Sequence, residues 1–421
     1  MARGVTERDI LINRDAVLRA IAECDEVGRE RFLRDHGFGK NRGYVVEHEG
    51  KEYDAKAVVG VAHGYASPHQ QPLTGGDFHS SNATVRRPLE RLGFKVFHRP
   101  RSTADARIEE EPRDDVRVEA ASSQPGRYDT QNIVAEGCFV PRAELDQMVT
   151  RLRTKKNLIL QGPPGTGKTW LAKRLGYSIL GTNVPGEALR VVQFHPSLSY
   201  EDFVRGYRPG KNEKLELSDG IFLEAVRAAL DEPDEAFVLV IEEINRGNPA
   251  QIFGEMLTLL EDTKRCREEA LQLAYRHDPH ERVFIPENLY IVGTMNVADR
   301  SLALVDLALR RRFAFFTLTP RLDAEWAAWC REKGRLEDDV VTVIRDRLLQ
   351  VNVTISEDRS LGEQFQLGHS FVTPAEPVPE AWPWFRQIVE TEIEPLLKEY
   401  WFDQPDKVRD ARRSLLAPPV V

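Results

Sequence analysis

A lysine and a threonine closing a glycine-rich loop are the residues of this sequence best suited to chemistry. Gln161-Gly162-Pro163-Pro164-Gly165-Thr166-Gly167-Lys168-Thr169 fits the spacing G-x4-G-K-T, which serves to hold phosphates. Gly162, Gly165 and Gly167 free the backbone to curl around oxyanions, and a helix N-terminus behind the loop adds partial positive charge. Lys168 is expected to reach the β- and γ-phosphates of a nucleotide, and Thr169 to offer its hydroxyl to Mg2+. Pro163, Pro164, Thr166 and Trp170 complete the expected nucleotide-contacting stretch. Further along stand two carboxylates, of which Glu242 is expected to hold Mg2+ and Glu243 to polarise the attacking water. Asn296 is expected to position that water or sense the γ-phosphate. Arg310 and Arg311 lie in the run Leu309-Arg310-Arg311-Arg312-Phe313, where one subunit can offer a finger to the nucleotide of its neighbour. Cations complementing a helix C-terminus would look the same; the order loop, acids, asparagine, arginines favours the finger.

Those residues need a scaffold that delivers them to one edge. Asn157–Leu160 reads as a short buried strand and Trp170–Leu175 as the start of a helix, so the loop sits at a strand-to-helix turn. Strands are also expected at Leu189–Phe194, Phe237–Ile241 and Leu289–Thr294. The second is a continuous apolar run ending in the acids, the mark of a buried parallel strand feeding its carboxyl edge. A helix is expected from near Ser301 to the arginine run. The fold class is therefore an α/β P-loop core, a parallel sheet flanked by helices, with a helical lid and a small α+β head.

The chain divides at 1–98 (head), 99–130 (linker), 131–320 (large α/β subdomain) and 321–421 (lid). In the head, helices are expected over Asp15–Ile21 and Val27–Leu33, then a hairpin of Tyr44–His48 and Lys51–Asp54, helices at Ala55–Ala62 and Asn82–Leu92, and a strand at Phe94–Phe97. Asp54-x-Lys56 reads more cheaply as surface residues on a turn than as half a nuclease metal site. Lys40, Arg42, Arg86, Arg87, Arg91 and Lys95 offer a candidate phosphate-facing surface. Residues 99–130 lose apolar periodicity and read as a disordered tether. The insert 263–282 reads as a pore- or partner-facing loop with candidate contacts Arg265, Arg267 and Arg276, or as a solvated one. Leu322–Lys333, Glu337–Val351 and Trp384–Tyr400 read as lid helices, with Trp382, Trp384 and Trp401 as core anchors.

With 421 residues, 41% hydrophobic and 30% charged, the composition is that of globular domains with proper cores. A net charge of −9 argues against a surface coated for general nucleic-acid binding. No apolar run approaches the roughly 18–20 residues that cross a bilayer, and the first residues lack a signal-peptide core. The cytoplasm is the expected compartment, without membrane contact. Cys24, Cys138, Cys266 and Cys330 form no C-x-x-C pair, so they are expected to be reduced and structural.

Together with the loop, His195-Pro196-Ser197, Glu243-Ile244-Asn245-Arg246-Gly247-Asn248, Ile252-Phe253-Gly254-Glu255, Met295-Asn296-x-x-Asp299-Arg300-Ser301 and the arginine run resemble the AAA+ motor subunit of McrBC-type modification-dependent restriction systems. The resemblance spans roughly 140–405 and includes Gln366-Leu367-Gly368-His369-Ser370-Phe371. It implies a ring, a hexamer, that hydrolyses ATP or GTP with Mg2+ at subunit interfaces and drives a separately encoded McrC-like nuclease on DNA. By the same resemblance Asn296, Asp299 and Arg300 belong to the nucleotide site. The head, through Tyr53–Gly60 and Leu92–Val96, resembles that of McrA-kind restriction endonucleases, which implies recognition of DNA. Three features depart from the pattern: Glu242-Glu243 replaces an Asp-Glu pair, no sensor-two arginine can be placed in the lid, and no Asn-Lys-x-Asp guanine-reading motif is present. A remodelling chaperone of the MoxR or dynein-related AAA kind, acting on protein alone, is the alternative.

Overall fold

The computed structural model describes residues 12–38, 44–66, 72–74, 85–98, 127–210, 214–298 and 307–418, without the side chains of 87, 98, 307 and 308. The chain forms two compact units, 1–122 and 123–421.

The first unit is a three-stranded antiparallel sheet with helices. Strands β1 (Tyr44–His48) and β2 (Lys51–Asp54) pair across the Glu49-Gly50 turn, and β3 (Lys95–His98) pairs with the other side of β1. The helix Arg14–Val27 starts where the Asn13 side chain accepts the Ala16 N–H. Its apolar stripe of Ala16, Val17, Ala20, Ile21 and Cys24 is buried and shares a core with the helix Ala55–Ala66 and the sheet. The expected hairpin and both flanking helices are present. Asp54, expected at the surface, is buried. Its Oδ2 accepts from Arg29 Nε at 2.7 Å, because a carboxylate taken out of water is tolerated only with a partner. Lys40 and Arg42 lie outside the described residues.

The second unit is built on a parallel sheet in the order β10-β4-β9-β8-β5. These strands are β4 (Asn157–Gly162), β5 (Leu189–Gln193), β8 (Phe237–Glu242), β9 (Leu289–Asn296) and β10 (Ala314–Thr317). Side chains alternate across it: Phe237, Leu239 and Ile241 of β8 enter one core, and Val238 and Val240 enter the other. Both faces are covered, and this is why the central strands read as unbroken apolar runs. An antiparallel hairpin, β6 (Arg205–Pro209) with β7 (Leu215–Asp219), stands apart. Arg205 anchors it, 1% exposed, donating to Asp219 and Glu281.

Tyr128 to Thr130, counted with the tether at the sequence level, are folded. Tyr128 is buried, and Asp129 forms a capping box with Asn132 at the start of the helix Thr130–Ala135.

The lid has its own core. It comprises helices Ala324–Glu332, Asp338–Glu357, Ala381–Ile388, Glu394–Tyr400 and Pro405–Leu416, with a π-turn at Val389–Ile393. Trp401 is buried in it and Trp382 and Trp384 pack against it. Asp358 accepts from Lys407, Ser360 and Trp401, and these bonds hold its carboxyl well below the usual range.

Candidate functional site

The parallel register gathers the expected site residues. Gly162 pairs with Asn296, and Gln193 with Glu242, so the carboxyl ends of β4, β8 and β9 share one edge. The loop leaves β4 there and runs into the helix Lys168–Leu180. Gly167, at φ +77, supplies the left-handed turn at the helix entry, and a Cβ there would meet only open space. That is the room a phosphate cradle needs.

Lys168 is buried and turns back on its own loop, donating to the carbonyls of Gly162 at 3.0 Å and Pro163 at 2.7 Å. Burial pushes its ammonium down to about 8, against the opposing pull of Glu243. Glu242, at the end of β8, meets Lys173 Nζ at 3.0 Å. Glu243 adopts a left-handed backbone, φ 53, unusual for a side-chain-bearing residue. The turn is held by Thr294 of β9, whose hydroxyl accepts the Glu243 N–H and whose carbonyl accepts the Ile244 N–H. Thr294 is a positioning residue that the sequence reading missed; its only signal was its place at the end of a buried strand. Glu243 Oε2 is buried and accepts no hydrogen bond among the described residues, with Arg246 Nε 3.4 Å away. An orphaned carboxylate oxygen beside an open loop suits a bound water. The Asn296 carbonyl accepts from Asn245 and its Oδ1 accepts the Ala298 N–H. Asp299 and Arg300 lie outside the described residues.

The arginines are not brought to this edge. The backbone carbonyl of Arg312 accepts from Asn157 at the first residue of β4, and Ala314 pairs with Leu158. They therefore stand at the amino edge, roughly 16 Å of strand from the loop. Arg312 is buried and bonds Glu261, whereas Arg311 is exposed and reaches Glu261 at 2.9 Å. Arg310 is exposed near Phe315. Arg265, read as a candidate pore or partner contact, is corrected: it is 2% exposed and donates to the carbonyls of Pro286 and Leu289 and to Asn157. A buried guanidinium distributes its donors over carbonyls that would otherwise be unpaired.

The lid closes over the loop from one side. The Gly368 N–H donates to the Pro164 carbonyl at 3.0 Å and the Ser370 N–H to the Gly165 carbonyl at 2.9 Å. A Cβ at Gly368 would lie 2.0 Å from Gly165, so only glycine permits the approach. Beside this junction lies an apolar pocket of about 240 Å3, bordered by Thr166, Gly167, Trp170, Phe139, Trp329 and His369. A second cleft, about 460 Å3, runs past Pro164, Arg246, Asn296 and Tyr400. Among the described residues no group of three or more His, Cys, Asp or Glu could hold a metal ion by itself. An ion bound through Thr169 and Glu242 would therefore need oxygens from elsewhere, as one bridged by phosphates has.

The sheet, the loop and the lid define an AAA domain, and residues 157–313 match the model of the AAA domain of the dynein-related subfamily. Residues 343–409 match the McrB alpha-helical lid domain, and residues 11–98 the ScoMcrA-like N-terminal head domain. The chain thus joins a McrB-like AAA domain and lid to a ScoMcrA-like head. It is 40% identical over 281 residues to the Type IV methyl-directed restriction enzyme EcoKMcrB subunit of Escherichia coli (strain K12), covering 66% of this chain and 61% of that relative. It is 29% identical over 252 residues to the Type II restriction enzyme BsuMI component YdiS of Bacillus subtilis (strain 168), covering 50% of this chain and 72% of the relative. The solved Type IV phosphorothioation-dependent restriction endonuclease ScoMcrA aligns at 34% identity over 23% of this chain and 15% of its own, with a TM-score of 0.16. Among the described residues no helix is long and apolar enough to cross a membrane.

Proposed function

We propose that this chain is the nucleoside triphosphatase motor of a modification-dependent restriction system, working as a ring, a hexamer, that drives a separately encoded McrC-like nuclease on DNA. The observation that carries the reading is the edge shared by Lys168, Glu242, Glu243 and Asn296, together with arginines too far away in the same chain to serve it. The backbone from Gly162 to Trp170 cradles the phosphates, and the Lys168 ammonium leaves the Gly162 and Pro163 carbonyls for their oxygens. Glu243 takes the proton of the attacking water, and Asn296 orients that water. Magnesium, held by Thr169 and Glu242, would neutralise charge on the phosphates; Glu242 must then exchange Lys173 for the ion. Asp299 and Arg300 complete the nucleotide site. Arg310 and Arg311 act on the next subunit's nucleotide, because no rearrangement within one sheet brings its amino edge to its carboxyl edge. The head is proposed to recognise DNA or a modification on it, and the cytoplasm to be the site of action.

The test is steady-state hydrolysis of ATP and GTP with modified and with unmodified duplex DNA. Stimulation by modified DNA supports the restriction motor. Hydrolysis indifferent to DNA and raised by a protein client points to a dynein-related remodelling role.

A further inference from the structure

We propose that Lys173 is an internal counter-ion that competes with Mg2+ for the Glu242 carboxylate, so that this ligand becomes available to the metal only when the ammonium is displaced. This inference rests on the nucleotide reading above. Lys173 lies one turn beyond Thr169 in the helix Lys168–Leu180, and residues four apart share a helix face. The face expected to offer Thr169 to Mg2+ therefore carries Lys173 as well.

Lys173 Nζ stands 3.0 Å from Glu242 Oε1. Glu243, the next residue, has a cation of its own in Arg246, 3.4 Å away. Each member of the acid pair is thus matched with a separate side chain, which offsets the repulsion between two adjacent carboxylates. Glutamate at 242, where an aspartate is usual, fits this arrangement. Its extra methylene extends the reach of the carboxylate from the end of β8 towards the helix.

The pair is built to be broken. The lysine side chain is 37% exposed, and its ammonium sits on a flexible four-carbon stem, so it can turn into water once it is displaced. Buried cations such as Arg265 have no such exit. Removing the Lys173 charge acts with opposite sign on two forms of the ligand. An unpaired Glu242 attracts Mg2+ more strongly, and it repels the phosphates of a metal-free nucleotide more strongly. A lysine that bound phosphate directly would, when removed, weaken both forms. One that merely supported the helix would not separate them.

Equilibrium binding of ribose-labelled fluorescent GTP, and separately of ATP, to the full chain tests this, once with saturating Mg2+ and once in EDTA. The quantity read is the ratio of the two dissociation constants, EDTA over Mg2+. Lys173→Met should widen that ratio about fivefold, by tightening binding with Mg2+ and weakening it in EDTA. Lys173→Gln, neutral but polar, should do the same, and Lys173→Arg, which keeps the charge, should stay close to wild type. An unchanged or narrowed ratio in either neutral variant, with the melting temperature of wild type, overturns the proposal. So does an arginine variant that behaves like the neutral ones. Failure of wild type to bind either nucleotide would sink the nucleotide reading itself, a result distinct from binding whose Mg2+ dependence ignores Lys173.

Discussion

The two edges of the parallel sheet use the same kinds of charged group to opposite ends. At the carboxyl edge, Lys168 is buried against backbone carbonyls it can leave, Glu243 holds an orphaned oxygen, and Gly167 faces open space. At the amino edge, the groups are tied into the backbone instead: the Asn157 amide donates to the Leu260 and Arg312 carbonyls, Arg265 donates to Asn157 and to the Pro286 and Leu289 carbonyls, and Arg312 pairs with Glu261. Charge alone does not identify a site. What distinguishes the first edge is room and exchangeable partners; what distinguishes Arg310 and Arg311 from Arg312 beside them is exposure.

The strongest test of the contrast is Lys168→Ala, which should abolish nucleotide binding in a fluorescence titration while leaving the melting temperature within a few degrees. Arg311→Ala or Arg310→Ala should bind nucleotide but lose on the order of a thousandfold in hydrolysis, and Glu243→Gln should lose about a hundredfold or more. Mixing either arginine variant with Glu243→Gln should restore part of the rate, since some interfaces then pair an intact finger with an intact base; mixtures as dead as their components would end the idea of action in trans. Arg265→Leu inverts the pattern, with about 3 kcal/mol lost in denaturant unfolding as carbonyls and the Asn157 amide lose a donor. If it melts like wild type, the backbone contacts of Arg265 are not structural.

The smallest expected effect is a pH dependence. Burial lowers Lys168 to about 8 in the free protein, and phosphate favours the charged form. Affinity should be flat below pH 7 and fall as pH rises through 8, with about half a proton taken up per nucleotide near pH 8. The same shift makes the nucleotide-free fold gain stability from about pH 8 up to the lysine's ordinary value, because the unfolded chain then binds more protons. Calorimetry in two buffers of different ionisation enthalpy measures the uptake.

Much of the carboxyl edge was legible in the sequence because the loop directly follows one short, unbroken apolar run and the acids directly follow another. The buried character of Arg265 was not, since its partners lie at Asn157 and Leu289 and an arginine in a polar insert looks solvated. Strand β10 was missed although Phe313–Phe316 is entirely apolar; the arginines before it drew the reading towards a helix end. The expected helix Trp384–Tyr400 is divided by the π-turn at Val389–Ile393, with Pro395 just beyond.

The lid's backbone contact with the loop splices the two together. Leu367, next to the residues bonded to Pro164 and Gly165, exchanges two hydrogen bonds with the Asn352 side chain. Asn352 belongs to the 20-residue helix Asp338–Glu357, about 30 Å long. The loop is therefore joined to this arm by an unbroken chain of hydrogen bonds, through the Gly368 and Ser370 N–H groups and the Leu367–Asn352 pair. Its tightest point is Gly368, where a single methyl group would collide with the backbone of Gly165 and push lid and loop apart.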